Sequence, residues 1–276
     1  MKKSQTELGV RVQTGVILTV IGAIILSLSG YTYTLNAVAA VLSILGISEL
    51  LRAVDQYSDF KMLALWLMST IISFWDIPHY HTVLLITWIL AVIVFFALMR
   101  HVSKLHFCSF LSILPCTLAL PLFLRGMAVI RQRPHGLYIL IVVTLGCVIN
   151  DIAAYFVGKA IGSHKLAPVI SPGKTWEGSI GGMVCSAIML MILSCFYAHC
   201  AGVQIRYGLL LLYLLLASLI GQFGDLSMST IKRSVGIKDF GRILPGHGGI
   251  LDRFDSLLFV IPFAVIFFRM TGVFVG

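Results

Sequence analysis

The chain has 276 residues, 59% of them hydrophobic and only 11% charged, with a mean hydropathy of +1.00. Ordinary soluble domains carry about 25% charged residues, so these few cannot clothe a globule in water. A soluble enzyme, a disordered chain and a nucleic-acid-binding domain are excluded. The net charge of +9 is explained by positive loops facing anionic lipid, and no nucleic-acid partner is expected.

Nine apolar segments follow one another, at 12–30, 35–51, 62–75, 82–99, 105–124, 136–157, 179–198, 208–226 and 256–276. A membrane span needs about 20 apolar residues. The fold class expected is an all-α integral membrane protein, a polytopic helical bundle of about nine transmembrane helices. The first segment follows Lys2 and Lys3 but has no small-residue cleavage site behind it, so it reads as a retained span. The third, Met62 to Trp75, is short enough to be re-entrant or tilted. The ninth contains Pro262 and Arg269 and is expected to kink or to stop early.

With the N-terminus inside, five of the 20 lysines and arginines fall outside (Arg125, Arg131, Arg133, Arg206 and Arg269) and the rest inside. This bias supports that orientation, although Arg125, Arg131 and Arg133 fit it poorly. Loops 158–178 and 227–255 are separated by two spans and therefore open on the same side, expected to be the cytoplasm. The organisation expected is 1–149 as N-terminal transmembrane helices and 150–276 as a catalytic membrane region with two polar loops. The six cysteines form no C-x-x-C pair and read as small buried side chains.

Six of the 11 carboxylates lie between 151 and 255. Acids near a bilayer are costly and mark functional candidates. Asp225 closes one apolar segment and Asp252 opens another. Between them stand Ser229, Lys232, Arg233, Lys238, Asp239, Arg242, Gly246, His247, Gly248 and Gly249, and behind them Arg253 and Asp255. This pattern suits phosphoryl or nucleotidyl transfer. Carboxylates hold Mg²⁺, basic side chains neutralise polyphosphate, and glycines before a helix start let backbone N–H groups approach phosphate. Asp225 and Asp252 are the first metal candidates, with Asp255 next, one turn along from Asp252. His247 is a candidate catalytic residue, with a loop hydrogen bond as its alternative. Upstream, Asp151 lies within an apolar segment. Ser171-Pro172-Gly173 signals a turn before Lys174, Thr175 and Glu177. Ser171 or Thr175 could cap the following helix, with Gly178 and Gly182 as a small-residue packing face, or these residues could bind ligand.

The run Ser229-x-Ile-Lys232-Arg233, then Lys238-Asp239-x-Gly241, then Leu244-Pro245-x-His247-Gly248-Gly249-Ile250-x-Asp252-Arg253-Phe254-Asp255 resembles the signature of phosphatidate cytidylyltransferases, the CDP-diacylglycerol synthases. Asp151…Ala154-Tyr155…Gly158-Lys159 and Ser171-Pro172-x-Lys174-Thr175-x-Glu177-Gly178 resemble the same family. The chain departs from the usual pattern at Asn150, Ile152 and Gly173. The resemblance implies that CTP and phosphatidate give CDP-diacylglycerol and pyrophosphate with Mg²⁺, a second cation being left open. It implies catalytic roles for Asp225, Asp252, Lys232, Lys238, His247 and Asp255. Lys174, Ser171, Thr175, Glu177, Asp151, Arg233, Asp239, Gly248, Gly249 and Arg253 would bind substrate or line the site. The enzyme would sit in a bacterial inner membrane with its active site facing the cytoplasm; a homodimer is left open. Two rivals stand beside this reading: a CTP-dependent transferase acting on another lipid phosphate, and an ion-coupled transporter, which the lack of a long internal repeat does not favour.

Overall fold

The structure is a computed structural model that describes residues 2–31, 33–53, 59–100, 108–246 and 248–275. The described residues form nine α-helices and four short strands, an all-α polytopic membrane protein. Four helices are long and apolar enough to cross a bilayer: α2 (Thr34–Ala53), α6 (Gly136–Ile161), α7 (Trp176–Ala201) and α8 (Tyr207–Ser234). Shorter apolar stretches lie in α1 (Lys2–Leu28), α3 (Asp59–Phe74) and α4 (Tyr80–Arg100). The remaining helices are α5 (Cys108–Arg131) and α9 (Leu251–Met270).

The chain divides into two compact units: Met1–Leu137 with Thr230–Asp255, and Tyr138–Ser229 with Ser256–Gly276. The divisions between the units fall near the start of α6 and within α8 and α9.

In the first unit α2 packs against α3 and α5. Leu35, Ala39, Ser43, Ile47 and Leu50 recur at helical spacing and are all buried, so one stripe of α2 faces its neighbours. Gly46 lies on that stripe, where an added Cβ would stand 3.4 Å from Leu120 and 3.5 Å from Leu251. The short third segment is a regular 16-residue helix, α3. The arginines that fitted the charge bias poorly are drawn into side-chain contacts. Arg125 is buried, donates to the Ile72 carbonyl at 3.2 Å, pairs with Asp76 at 3.5 Å and lies over the Tyr80 ring. Arg131 Nε donates to Ser29 Oγ at 3.0 Å, and partial burial lowers the Arg133 pKa from its usual value.

In the second unit strands β1 (Lys165–Ala167) and β2 (Ser171–Thr175) pair antiparallel between α6 and α7, with Lys165 opposite Thr175 and Ala167 opposite Ser171. β3 (Gln204–Ile205) pairs antiparallel with β4 (Phe274–Val275). Helices α6 and α7 approach closely at small residues. A Cβ on Gly178 would stand 2.6 Å from the Ala154 carbonyl oxygen, and one on Gly182 would stand 2.7 Å from that of Asn150. Asn150 is buried and accepts from Ser218 Oγ at 2.7 Å and from Gln222 Nε2 at 3.2 Å, and Gln222 also bonds Ser179. This polar seam ties α6, α7 and α8 together and gives the buried Asn150 side-chain carbonyl oxygen two donors. α9 runs through Pro262 and stops at Met270, just after Arg269 and short of the expected end of the ninth segment.

Candidate functional site

The hairpin before α7 carries the first polar set. The turn falls at 168–170, so Ser171-Pro172-Gly173 opens β2 rather than forming the turn. Thr175 is the N-cap of α7: its backbone is extended and its Oγ1 accepts from the Gly178 N–H at 3.1 Å. Glycines make room for that hydroxyl, since a Cβ on Gly158 would stand 2.8 Å from it. Glu177, in the first turn, accepts from the His164 N–H at 3.1 Å and pairs with His164 Nδ1 at 2.6 Å. Asp151 is exposed on α6.

One residue earlier in β2, Lys174 forms an ion pair with Asp225 of α8. Their side chains are 27% and 22% exposed, so both remain reachable from solvent. Ser229 Oγ, one turn further along, lies 3.4 Å from Asp225 Oδ1. The sequence placed Asp225 at the end of a span; it lies instead inside α8, which continues to Ser234. That extension puts Asp225, Ser229, Lys232 and Arg233 on one helix. Hydrophobicity falls off after Leu226, but the helix continues through residues that its apolar pattern does not announce.

The first unit holds the second polar set, from the last turn of α8 to the start of α9. Gly236 (φ +72°) ends α8. The Ile237 N–H reaches the Lys232 carbonyl at 2.9 Å and the Gly236 N–H reaches that of Arg233 at 3.2 Å, a Schellman closure that satisfies the last carbonyls. Lys232 Nζ donates to Asp252 Oδ1 at 2.8 Å, both side chains being buried. Asp252 Oδ2 accepts from the backbone N–H of Phe240 at 2.9 Å and of Gly249 at 3.0 Å. The bond to Gly249 reaches back three residues, in the manner of a capping box. Leu244 N–H donates to the Gly248 carbonyl at 3.0 Å, and Gly248 has φ +85°, a backbone that a larger side chain would strain. Thr14 Oγ1 donates to the Pro245 carbonyl at 2.9 Å. Arg233, Lys238, Asp239 and Arg253 are exposed and Asp255 is half-buried; His247 lies outside the described residues.

One residue that sequence reasoning passed over belongs with this loop. Glu49 of α2 is buried, and its carboxylate accepts from the N–H groups of Ile250 and Leu251, each at 2.9 Å. The available signal was an acid inside an otherwise apolar segment. Its partners are backbone groups some 200 positions away, which no local spacing reveals.

Among the described residues no cluster of three or more His, Cys, Asp or Glu side chains could cage a metal. Mg²⁺ seldom needs such a cage; it is usually held by one or two carboxylates together with substrate phosphates and water. Asp225 fits that kind of ligand, being half-exposed beside one ammonium and one hydroxyl. Asp252, expected to bind the cation as well, is differently engaged: Oδ1 holds Lys232 and Oδ2 holds two loop N–H groups.

The sequence pattern of the Cytidylyltransferase family matches residues 9–271. The chain belongs to that family. Its relatives include proteins named phosphatidate cytidylyltransferase from Staphylococcus. That of S. saprophyticus is 46% identical over 136 residues, 49% of this chain and 51% of the relative. That of S. haemolyticus is 48% identical over 130 residues, 47% and 48% of the two chains. That of S. aureus strain COL is 49% identical over 132 residues, 48% and 49% of the two. The chain spans about half the length of the curated relatives it matches.

Proposed function

We propose that this member of the cytidylyltransferase family transfers the cytidylyl group of CTP to phosphatidate, giving CDP-diacylglycerol and pyrophosphate. The observation that carries the reading is the Lys174–Asp225 pair, a partly exposed cation of the Ser171–Gly178 motif and a carboxylate of α8. Family membership and the names of the staphylococcal relatives support the same reaction.

An oxygen of the lipid phosphate forms a bond to the α-phosphorus of CTP while the bond from that phosphorus to the α–β bridging oxygen breaks, and pyrophosphate departs. The attacking oxygen is already anionic at neutral pH, so no general base and no covalent enzyme intermediate are required. Positioning and charge neutralisation carry the rate. In this reading Asp225 would hold Mg²⁺, which, when bound, would offset the charge of the triphosphate and of the leaving pyrophosphate. Lys174 turns from Asp225 to a phosphate when the nucleotide arrives. Arg233, Lys238 and Arg253 are exposed on the first unit, where their charge suits a phosphate. Lys232 and Asp252, both buried, hold the glycine-rich loop in shape. The lipid acceptor fits an enzyme embedded in a bacterial inner membrane with its active site facing the cytoplasm.

Incubating purified protein with labelled CTP, phosphatidate and Mg²⁺ tests the reading. A labelled lipid-soluble nucleotide is the expected product, and its absence overturns the assignment. Isoprenoid phosphates in a parallel assay separate this acceptor from other lipid phosphates.

A further inference from the structure

The loop between α8 and α9 has glycines for two different reasons. Gly248 needs its left-handed backbone. Gly241 and Gly249 have no such requirement, and the three nearest atoms to a Cβ at either position all belong to Glu49. A Cβ on Gly249 would stand 2.5 Å from Glu49 Oε2, and one on Gly241 would overlap Glu49 Oε1. The space those glycines leave is filled by the carboxylate of a residue on α2.

That carboxylate has a defined task there. The first N–H groups of a helix lack intrahelical partners, and Gly249-Ile250 offers no side-chain oxygen to cap α9. Glu49 supplies both missing acceptors, to the Ile250 and Leu251 N–H groups, at the positive end of the α9 dipole. The same turn presents Asp252, whose Oδ2 holds the N–H groups of Phe240 and Gly249. Glu49 and Asp252 thus grip the loop from two sides, one from α2 and one from within α9.

We propose that Glu49 is a positioning residue for this loop. Delivered by the N-terminal helices, it caps α9 from outside and sets the placement of the Gly248–Asp252 turn, and it is the reason positions 241 and 249 are glycine. The consequence for turnover rests on the cytidylyl-transfer reading; the structural coupling does not.

Two measurements test it on the full-length chain. Amide hydrogen exchange is read over 240–253 in the wild type, Glu49→Gln and Glu49→Asp. Gln offers one oxygen and one NH₂ where two acceptors are needed, and Asp retracts its charge by one methylene. Faster exchange is expected at Gly249, Ile250 and Leu251 in both variants, with exchange in α6 and α7 unchanged. Unchanged exchange in the loop overturns the proposal. The second measurement is a double-mutant cycle on thermal stability and turnover with Glu49→Ala and Gly249→Ala. Gly249→Ala alone is expected to lower turnover on the order of 10- to 100-fold, the scale of a misplacement near 1 Å. In the Glu49→Ala background it is expected to add little further loss. Losses that multiply in turnover and add in stability overturn the coupling. If the wild type makes no CDP-diacylglycerol, the functional reading fails, while exchange and the stability cycle still decide the role of Glu49.

Discussion

Lys232 and Asp252 form a buried ion pair at 2.8 Å, with side chains only 10% and 3% exposed. Breaking one half of such a pair leaves an uncompensated charge and typically costs about 3–5 kcal/mol, whereas replacing both halves by apolar groups is often neutral. Asp252 also anchors two loop N–H groups. Asp252→Asn is therefore expected to lower the melting temperature sharply. Lys232→Met combined with Asp252→Asn removes the stranded ammonium, keeps an oxygen for the two loop N–H groups, and is expected to recover part of that loss but not turnover. Melting curves in detergent alongside the CTP assay check this. Full recovery of turnover in the double variant would show that the pair only fills space.

The Lys174–Asp225 pair should behave in the opposite way. Its side chains are 27% and 22% exposed, and pairs of that kind contribute about 0–1 kcal/mol. Asp225→Asn is expected to fold with nearly the wild-type melting temperature, to lose most turnover, and to need more Mg²⁺ for what remains. Lys174→Ala is expected to raise KM for CTP with the Mg²⁺ requirement unchanged. EDTA is expected to abolish turnover in the wild type and excess Mg²⁺ to restore it. Wild-type turnover and Mg²⁺ response in a folded Asp225→Asn protein would remove Asp225 from the metal assignment.

What could be read from the sequence followed from local pattern. Apolar runs announced the long helices, and Thr175 was a visible capping candidate before α7. What could not be read was decided by how the backbone continues, pairs and folds back, nearby or far along the chain. Asp225 looked like a helix end because hydrophobicity stops near it, yet the helix continues to Ser234 and closes at Gly236. Ser171-Pro172-Gly173 looked like a turn, but pairing with β1 makes it a strand. Asp252 was legible as an acid at the start of a span, but its contacts to Phe240, Gly249 and Lys232 depend on how the loop folds back. Glu49 was one acid among several in the N-terminal half until the loop that it holds was seen beside it.

The start of α7 gives the last prediction. Thr175 Oγ1 accepts the Gly178 N–H, and the hydroxyl sits in space left by Gly158, Gly162 and Gly178. Thr175→Val keeps the volume and removes the acceptor, so the cap is lost at about 1 kcal/mol. Thr175→Ser keeps the acceptor and is expected to be milder. Gly178→Ala meets the Ala154 carbonyl at 2.6 Å and Thr175 Oγ1 at 2.9 Å, and neither backbone nor cap can move freely. Overpacking of that kind costs about 1–3 kcal/mol. The expected order of melting temperature is therefore wild type, Thr175→Ser, Thr175→Val and then Gly178→Ala. Because Lys174 adjoins the cap, Thr175→Val should also raise KM for CTP while Thr175→Ser leaves it near the wild-type value. Equal effects of Val and Ser on both readouts would show that the hydroxyl does not fix the helix start that Lys174 depends on.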